Sequence, residues 1–299
     1  MLWDYSRPKG VVVHRLDYKP ETPTARDSSR LQAEEDVNKT VTTVHTKLSS
    51  VHVENCFLGA DGVGKKTERR LWEQGITHWE VFEPTCEGIG TGRAACIESF
   101  IEEGERALER DDVSYFDRRF PSGSRWRLYE SFRDQACFFD IETTGLDRRQ
   151  NVVTTVTLHQ NGRTRTLVRG DDLTDEQLAA AFEDAGLLVT FNGARFDIPF
   201  LEANFDISLG QPHIDLMPTA RKVGLSGGLS AVENQLGISR ELPDVDGREA
   251  VRLWHKHDRG VDGALERLIA YNREDTINMV SVLESVVEEL DRQVFPDEL

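Results

Sequence analysis

The sequence contains very little lysine. Of its 36 basic residues eight are lysine and 28 are arginine, and beyond residue 66 the only lysines are Lys222 and Lys256. Acidic residues number 53, so the formal net charge is −17. A protein that holds nucleic acid usually has a basic surface, and this composition taken alone argues against such a partner. Very high salt, however, screens attraction to phosphates and favours an acidic, lysine-poor surface. We therefore interpret the chain as halophilic, with a generic acidic protein as the alternative.

Cysteine and long apolar runs are also scarce. The four cysteines (Cys56, Cys86, Cys96 and Cys137) form no CxxC pair, and their spacing fits neither a zinc module nor a common iron–sulfur pattern. A chain of 299 residues needs no disulfide staple, so reduced thiols are expected. There is no apolar run of about 18 residues, the length that spans a membrane, and no apolar signal-peptide segment. The sequence therefore predicts a cytoplasmic protein without a membrane partner.

Four acidic residues in three separated segments are the most informative feature that is present. Asp140 and Glu142 lie in FFDIETTGL, an apolar run that ends in a Thr-Thr-Gly turn and predicts a buried strand. Residues two apart on a strand point to the same face, so both carboxylates project together. Neighbouring buried carboxylates repel each other and lose hydration. A cation between them is therefore expected, and hard oxygen ligands favour Mg²⁺ or Mn²⁺.

Two further acids are placed to complete such a site. Asp197 follows a second apolar stretch, 187–191, and opens a predicted helix. Asp275 and Tyr271 are four residues apart on a long predicted helix, 264–290, so both lie on one face. A strand pair, a loop–helix junction and a long helix together suit a centre of two metal ions, of the kind that hydrolyses phosphodiesters.

Each of these side chains also has an ordinary structural interpretation. Asp197 alone would be a turn former or helix cap, and Asp275 alone a solvated helix residue. Tyr271 alone would be core packing. Asp215, in HIDLM, either supports the site or simply ends a short strand. Asn192 is interpreted first as a turn residue that also steadies the site, and it is included among the candidate nucleic-acid-binding residues. Only the combination of the four acids favours a metal site.

The three segments resemble a known family. Asp-x-Glu, Asn-x-x-x-Phe-Asp and Tyr-x-x-x-Asp, in this order, are similar to the exonuclease motifs of the DEDDy branch of the DnaQ-like 3′–5′ exonucleases. More narrowly, HIDLM, GGLSAVENQLGI, DGREAVRLW and ALERLIAYNREDTINM resemble the YprB-type ribonuclease H-like domain family, over about residues 125 to 290. The histidine version of the last motif has His five residues before the Asp, where this sequence has Ala270. The tyrosine version therefore fits.

This resemblance implies a fold, a reaction and a set of roles. The fold class is α/β, a ribonuclease H-like mixed sheet flanked by helices. The implied activity is two-metal 3′–5′ exonucleolytic hydrolysis of single-stranded DNA or RNA from its 3′ end. Tyr271 would orient the attacking water, and Glu142 would also contact the terminal 3′-hydroxyl. A catalytically silent binding or scaffold protein and a ribonuclease H-type endonuclease remain as alternatives. The implied ligands of two Mg²⁺ or Mn²⁺ ions are Asp140, Glu142, Asp197 and Asp275.

Two Gly-x-Gly turns precede the acidic segments. The first, at 62–64, is followed by two lysines and a predicted helix, and the second, at 88–90, by another predicted helix. The pair resembles a tandem helix-hairpin-helix arrangement, in which glycines let backbone amides approach a phosphate. The second copy departs from the pattern just after its turn, and a small helical bundle is the alternative for both. The residues predicted to bind nucleic acid here are Gly62, Gly64, Lys65 and Lys66.

These features divide the chain into four predicted parts. Residues 1–50 are polar and are expected to be a disordered tail. A small all-helical, helix-hairpin-helix-like domain is predicted at 51–110, a linker rich in arginine and aromatic residues at 111–134, and the exonuclease domain at 135–291. Arginine beside aromatic residues suits either stacking on a single strand or a linker docked on an acidic domain.

The order of elements in the last part predicts its sheet. Two segments, 152–159 and 163–170, resemble a pair of strands joined by Gln160-Asn161-Gly162 and predict a β-hairpin. A helix at about 174–184 and a strand at 187–191 are predicted to follow. Strand, hairpin, helix and strand in this order suit a mixed sheet flanked by helices.

Overall fold

A computed structural model describes residues 51–295, so the predicted tail at 1–50 lies outside the described part of the chain. The centre of the described part is a five-stranded sheet with the order β3-β2-β1-β4-β5. Strands β1, β2 and β3 pair in antiparallel fashion, whereas β1, β4 and β5 are parallel to one another. The predicted mixed sheet is therefore confirmed. The strands are β1 (Ala136–Thr143), β2 (Val153–Gln160), β3 (Arg163–Val168), β4 (Leu187–Thr190) and β5 (His213–Asp215).

The predicted hairpin joins β2 to β3. Its register pairs Gln160 with Arg163, which leaves a two-residue turn. Asn161 and Gly162 both have positive φ angles, 50° and 71°. Two such residues form the turn whose twist matches that of antiparallel strands, and Asn-Gly is the pair that adopts it most readily.

Helices cover both faces and one end of the sheet. The long predicted helix begins at Ala264, as expected, but continues to Val294. The helix predicted at about 174–184 is shorter, Asp175–Ala181. In chain order the helices of the described residues are α1 (Lys65–Glu73), α2 (Thr91–Leu108), α3 (Val113–Arg119), α4 (Leu128–Ser131), α5 (Asp175–Ala181), α6 (Asp197–Asn204), α7 (Leu216–Ala220), α8 (Leu229–Leu236), α9 (Gly247–Asp258) and α10 (Ala264–Val294).

Strand β1 separates two hydrophobic clusters, because its side chains alternate between the two faces. Phe139 and Ile141 belong to the cluster that includes Leu178 of α5 and Phe200 of α6. Phe138 lies on the other face, in the cluster that includes the buried residues of α10. Asp140 and Glu142 follow Phe138 at intervals of two, so they share the face that α10 covers.

The cluster under α10 extends without interruption into the N-terminal helices. Val53, Phe57 and Leu71 belong to the same buried group as Leu187 of β4 and Met279 of α10. One hydrophobic core therefore crosses the predicted boundaries at 110 and 134. The division into parts at these positions stays a prediction. No helix of the described residues is long and apolar enough to cross a membrane.

The arginine- and aromatic-rich stretch 111–134 is docked on its neighbours. Five of its six large aromatic side chains are buried, and several of its arginines are paired with acids of the same chain. The deepest of these pairs joins Arg127 to Glu68 of α1 at 2.8 Å. Docking is therefore the alternative that the structure favours for this stretch. The buried aromatic residues are Phe116, Phe120, Trp126, Tyr129 and Phe132, and the paired arginines are Arg119, Arg125, Arg127 and Arg133.

Candidate metal centre

The acids of β1 and α10 converge on one face of the sheet. Asp140 and Glu142 lie opposite Thr157 and Thr155 of β2 in the antiparallel register. Helix α10 crosses this face and directs Asp275 toward them. One carboxylate oxygen from each of Asp140, Glu142 and Asp275 lies within 4.8 Å of the other two. We call these three residues the acidic cluster.

Asp197 stands beside the acidic cluster but outside its tight group of oxygens. It is the first residue of α6 and is buried, with 3% of its surface exposed. Its charge raises the pKa of Glu142, and the charge of Asp140 raises the pKa of Asp197. The three segments singled out in the sequence are therefore neighbours in space.

The carboxylates hold their protons more tightly than free ones. Burial raises the pKa of Asp140 to about 7, against the opposing effects of the Asn272 hydrogen bond and the Arg240 charge. Burial, followed by the charges of Asp140 and Asp197, raises the pKa of Glu142 well above its ordinary value. Burial is also the main cause of the raised pKa of Asp197. This concentration of negative charge favours any cation that can replace the protons.

The donor set fits a hard divalent cation. The three tightly grouped ligands are all carboxylates, and Mg²⁺ and Mn²⁺ prefer oxygen donors of this kind. The residues that would hold such an ion are Asp140, Glu142 and Asp275, with Asp197 completing the set.

Asn272 of α10 connects the acidic cluster to β2 by hydrogen bonds. It is fully buried, and its Nδ2 donates a hydrogen bond of 2.7 Å to Oδ2 of Asp140. Its Oδ1 accepts hydrogen bonds from the hydroxyls of Thr155, at 3.0 Å, and Thr157, at 2.7 Å. These bonds fix the amide orientation, because the threonine hydroxyls need the oxygen and Asp140 needs the nitrogen. Asn272 thereby holds one Asp140 oxygen in place.

Arg240 contacts the cluster from the other side. Its Nε lies 2.6 Å from Oε2 of Glu233 in α8, and its Nη2 contacts Oδ1 of Asp275. The guanidinium is also 5.5 Å from the centre of the Tyr271 ring. The arginine side chain is 7% exposed and that of Glu233 is completely buried. Arg240 is thus an enclosed cation between a buried glutamate and a candidate metal ligand.

The local sequence explains why Arg240 lies there. Helix α8 ends at Gly237, whose φ of 75° is the left-handed conformation that glycine adopts easily and that turns a chain off a helix. The Ile238 amide then bonds the Glu233 carbonyl at 2.9 Å. Further along, Glu274 of α10 accepts hydrogen bonds from the backbone amides of Glu241 and Leu242. The segment that carries Arg240 is therefore held at both ends.

Tyr271 lies on the same face of α10 as Asp275, one turn earlier. It is 6% exposed and packs in the cluster that contains Leu253, Trp254 and Leu268. Burial raises its pKa, the charges of Glu142 and Asp140 raise it further, and Arg240 opposes the shift. Its hydroxyl therefore stays protonated at neutral pH and is a potential hydrogen-bond donor beside the carboxylates.

Asp215, the last residue of β5, anchors the loop that precedes α6. Its Oδ1 accepts hydrogen bonds from the amides of Asn192, at 2.8 Å, and Met217, at 3.1 Å, and its Oδ2 accepts one from Ala194 at 3.3 Å. Asn192 itself has a φ of 69° and forms the turn after β4. Asp215 caps α7 and fixes this turn, so it supports the placement of Asp197. A contact of Asn192 with nucleic acid stays a prediction.

The first Gly-x-Gly turn directly precedes a helix. Gly64 is the N-cap of α1 and has no side chain to cap the helix. Lys65 and Lys66 lie exposed in the first turn of α1. Gly62 has a φ of 76°. The second turn has the same relation to α2, since Gly90 is its N-cap. Helix α2 begins at Thr91 although the sequence departs from the pattern there. Binding of nucleic acid at these turns stays a prediction.

Sequence reasoning missed Asn272, Glu233 and Arg240. Two of the three left a signal, because Asn272 and Glu233 fall on the apolar stripes of their helices, where a polar residue needs a partner. Asn272 continues a stripe four residues after Leu268, and Glu233 lies four residues after Leu229. Arg240 follows the end of a helix and left no periodic signal.

Comparisons with known proteins give a family and several remote structural likenesses. No curated protein matches the chain. A structure described as the apo form of the nuclease is 18% identical, with a TM-score of 0.40, and the match covers 54% of this chain and 76% of that one. The family B DNA polymerase of Pyrobaculum calidifontis is 16% identical, with a TM-score of 0.39 and coverage of 51% and 27%. Brucella melitensis NrnC with bound Mg²⁺ is 15% identical, with a TM-score of 0.31 and coverage of 57% and 92%.

The ligands and activities named for these structures belong to those proteins and are not assigned to this chain. The family match is of a different kind, because it extends over half of this chain. The model of the RNase H superfamily designated RNase_H_2 matches residues 137–287, which include the acidic cluster and all five strands except Ala136, the first residue of β1. The chain therefore belongs to the RNase H superfamily.

Proposed function

We propose that this protein is a metal-dependent 3′–5′ exonuclease that hydrolyses phosphodiester bonds in single-stranded DNA or RNA. The observation that carries the proposal is the acidic cluster between α10 and the central strand of an RNase H superfamily sheet, where three carboxylates approach within 4.8 Å. Such a cluster is unfavourable for folding unless a cation is bound. A scaffold protein without catalytic activity would gain nothing from it.

The residues of the site divide the work between them. Asp140, Glu142 and Asp275 would hold the ions together with Asp197, and Asn272 orients Asp140. When bound, two divalent ions supply a water of lowered pKa and neutralise charge on the reacting phosphate. A strong side-chain base is then unnecessary. Tyr271, kept protonated by its raised pKa, donates a hydrogen bond that positions the attacking water or the phosphate.

The polarity of cleavage and the branch of the family rest on the motifs. The order Asp-x-Glu, Asn-x-x-x-Phe-Asp and Tyr-x-x-x-Asp, with Ala270 where the other version has histidine, supports the DEDDy branch. The segments between the motifs support the YprB-type family within it. Members of this branch remove nucleotides from a 3′ end. The competing function is internal cleavage by the same carboxylates.

End-labelled oligonucleotides test the proposal. Single-stranded DNA, single-stranded RNA and duplexes, each labelled at the 5′ end, are incubated with Mg²⁺ or Mn²⁺ at low and at very high salt. A 3′–5′ exonuclease gives a ladder that shortens one nucleotide at a time and leaves a circular substrate intact. Cleavage of the circle would instead establish an endonuclease, and no cleavage of any substrate would reject the nuclease.

Two substitutions connect that activity to the site. Asp140→Asn keeps the acceptor for Asn272 but removes a ligand charge, and we expect a loss of more than about a hundredfold, the upper range for groups that only support metal ligands. Tyr271→Phe removes one positioning hydroxyl, and we expect a loss of about tenfold to a thousandfold with unchanged metal affinity. Full activity in Asp140→Asn would refute the assignment of the site.

We also propose that the catalytic part, residues 135–291, receives its substrate from the first hairpin in 51–110. Lys65 and Lys66 lie at the start of α1 beside the backbone amides of a glycine turn, which is a favourable place for a phosphate. Burial lowers the pKa of Lys222, and the charge of Lys65 lowers it further, so these two lysines are neighbours. Three of the four lysines in the described residues thus lie in one region of an acidic protein.

Gly64 offers a sharper test of the hairpin than Gly62. Gly62 has a positive φ, so any larger residue there is strained. Gly64 has an ordinary φ of −113°, and nothing lies within 4 Å of an added Cβ. Gly64→Val should therefore leave the fold intact while blocking close approach of a phosphate. We expect a higher KM and an unchanged kcat, since the acidic cluster is elsewhere.

Charge removal gives the matched control. Lys65→Gln with Lys66→Gln should raise KM and make binding less dependent on salt. Lys256→Gln removes a lysine that pairs with Glu249 on α9 and should change neither quantity. If the hairpin variants bind oligonucleotides as tightly as the parent, the turn has only a packing role.

A further inference from the structure

Arg240 competes for an atom that the proposed function assigns to a metal ion. Its Nη2 contacts Oδ1 of Asp275, and Asp275 belongs to the acidic cluster. A carboxylate oxygen that accepts a hydrogen bond from a guanidinium is less available to a divalent cation, and the two positive charges repel each other. Metal binding and the Arg240–Asp275 pair are therefore antagonistic.

Glu233 keeps Arg240 in place when that pair opens. The glutamate is completely buried, so its charge requires a permanent partner. Its Oε1 accepts hydrogen bonds from Nδ2 of Asn278 at 3.0 Å and from Nη2 of Arg240 at 3.4 Å, and its Oε2 lies 2.6 Å from Nε of Arg240. Asp275, in contrast, lies next to two other carboxylates. Of its two acids, Arg240 can release Asp275 once a cation replaces it, but it cannot release Glu233.

The surroundings leave room for such a rearrangement. Arg240 also lines a cleft of about 420 Å³ together with Asn234, Ser239 and Asp246. The backbone that carries it is fixed by Glu274, so movement is confined to the side chain. A guanidinium held at Nε by Glu233 can turn its outer nitrogens from Asp275 toward this cleft.

We propose that Arg240 is a built-in counter-ion of the acidic cluster, which neutralises Asp275 and is displaced onto Glu233 when a divalent ion binds. This inference rests on the proposed metal site. It predicts that Arg240 weakens metal binding, whereas Glu233 strengthens it by holding the displaced arginine. The two partners of one ion pair should therefore have opposite effects on metal affinity.

Calorimetric titration with Mg²⁺ and with Mn²⁺ tests this prediction directly. Arg240→Gln alone leaves Glu233 buried without its cation and endangers folding, so the main variant combines Arg240→Gln with Glu233→Gln. Its glutamine at 233 can still accept the bond from Asn278. We expect the Kd for metal to fall about tenfold, as for other groups directly behind metal ligands. Glu233→Gln alone should raise the Kd by about the same factor.

Two further proteins complete the design. Arg267→Gln removes an equal charge from a pair with Asp244 on the surface of α10 and should leave the Kd unchanged. Asp275→Asn removes the ligand itself, and thermal unfolding with and without metal shows that every variant is folded. If the double variant binds metal no better than the parent, Arg240 is not a competing counter-ion. If it binds metal more weakly, Arg240 instead orients Asp275.

These results separate this inference from the proposed function. Unchanged metal binding in Asp275→Asn would reject the metal site and with it the nuclease mechanism. Loss of binding in Asp275→Asn, combined with unchanged binding in the Arg240 double variant, would reject the counter-ion alone.

Discussion

The side chains of Arg127 and Arg240 are both enclosed by the protein, yet they meet different numbers of acids. Arg127 lies between the rings of Trp72 and Trp126, at 5.5 and 5.4 Å from their centres, and pairs with Glu68. Both members of that pair are at most 2% exposed. The Glu68 oxygen that bonds Arg127 also accepts the Phe57 amide at 2.9 Å. One charge is matched by one charge, and the hydrogen bonds join α1 to the segment before α4.

Arg240 has a similar setting, but it contacts two acids rather than one. It faces the Tyr271 ring and pairs with Glu233, but it also contacts Asp275, which lies within 4.8 Å of the other two carboxylates of the acidic cluster. Burial raises the pKa values of Asp140 and Glu142, and the charges of Asp140 and Asp197 raise that of Glu142 further. The difference separates an ion pair that is neutral as built from one that lies beside further carboxylates. The proposed metal site gives the second arrangement its purpose.

Removing the acid from the balanced pair should have the largest effect. Glu68→Gln keeps an acceptor for Phe57 but leaves the Arg127 charge buried without its partner. We expect a loss of about 3–5 kcal/mol in the free energy of unfolding, the usual result of breaking a buried ion pair. Chemical denaturation at pH 7 measures this loss. Hydrolysis per folded molecule should be unaffected.

An exposed pair provides the control for this experiment. Glu103 pairs with Arg119, and both side chains are about one-third exposed. Glu103→Gln should cost less than about 1 kcal/mol, because water screens such pairs. Equal losses in the two variants would mean that the burial of Arg127 and Glu68 has no energetic consequence.

The second prediction concerns Asn272, the neutral residue behind the acidic cluster. Asn272→Ala removes the hydrogen bond to Asp140 and leaves the hydroxyls of Thr155 and Thr157 without their acceptor. We expect metal affinity to fall about tenfold to a hundredfold, as when a ligand loses its supporting hydrogen bond. Asn204→Ala is the control, since this amide bonds the backbone of Phe200 and Val153. It should destabilise the fold without changing metal affinity.

The third prediction is a gain in the free energy of unfolding, whereas the first is a loss. In the presence of a chelator, Glu142→Gln removes a half-buried carboxyl whose pKa is raised by burial and by the charges of Asp140 and Asp197. We expect the variant to be more stable than the parent at pH 7, by more than the roughly 0.5 kcal/mol that is typical of surface substitutions. The exposed Glu98 supplies the control, because Glu98→Gln should change stability by less than about 0.5 kcal/mol. A less stable Glu142→Gln would show that the cluster is not under electrostatic strain.

Much of the fold and of the acidic cluster could be predicted from the sequence, because both depend on local patterns. Strand alternation placed Asp140 and Glu142 on one face, the Asn161-Gly162 turn fixed a hairpin, and helical spacing put Tyr271 beside Asp275. Each inference needed only the period of an element and the geometry of a turn.

The contacts that the sequence did not reveal join residues far apart in the chain. Arg127 meets Glu68 across 59 positions and Arg240 meets Asp275 across 35, and no local period links either pair. The same limitation affects the predicted boundaries at 110 and 134. A truncation near residue 125 would remove Phe57 and Leu71 from a core shared with α10, so it should unfold rather than act as a separate domain.

The last prediction concerns a carboxyl near Arg127 and should have the smallest effect. Asp291 near the end of α10 accepts the Val51 amide at 3.2 Å. Burial raises its pKa to about 7, while the Val51 amide and the Arg127 charge oppose the shift and Glu130 adds to it. An unfolded aspartate has a pKa of about 3.9. Between these values the folded protein binds more protons than the unfolded chain, so this residue makes stability fall as pH rises.

Asp291→Asn removes that titration and can still accept the Val51 amide. Relative to the parent, the variant should therefore gain stability between pH 5 and pH 6, by about 1 kcal/mol, the linkage value for one pH unit between the two pKa values. Denaturation of both proteins at the two pH values, with a chelator present so that the acidic cluster contributes equally to both, measures the difference. A gap between the two proteins that stays constant with pH would mean that Asp291 is already ionised in the fold. Arg127 would then lie beside two ionised acids, as Arg240 does, and the number of acids would no longer distinguish the two arginines.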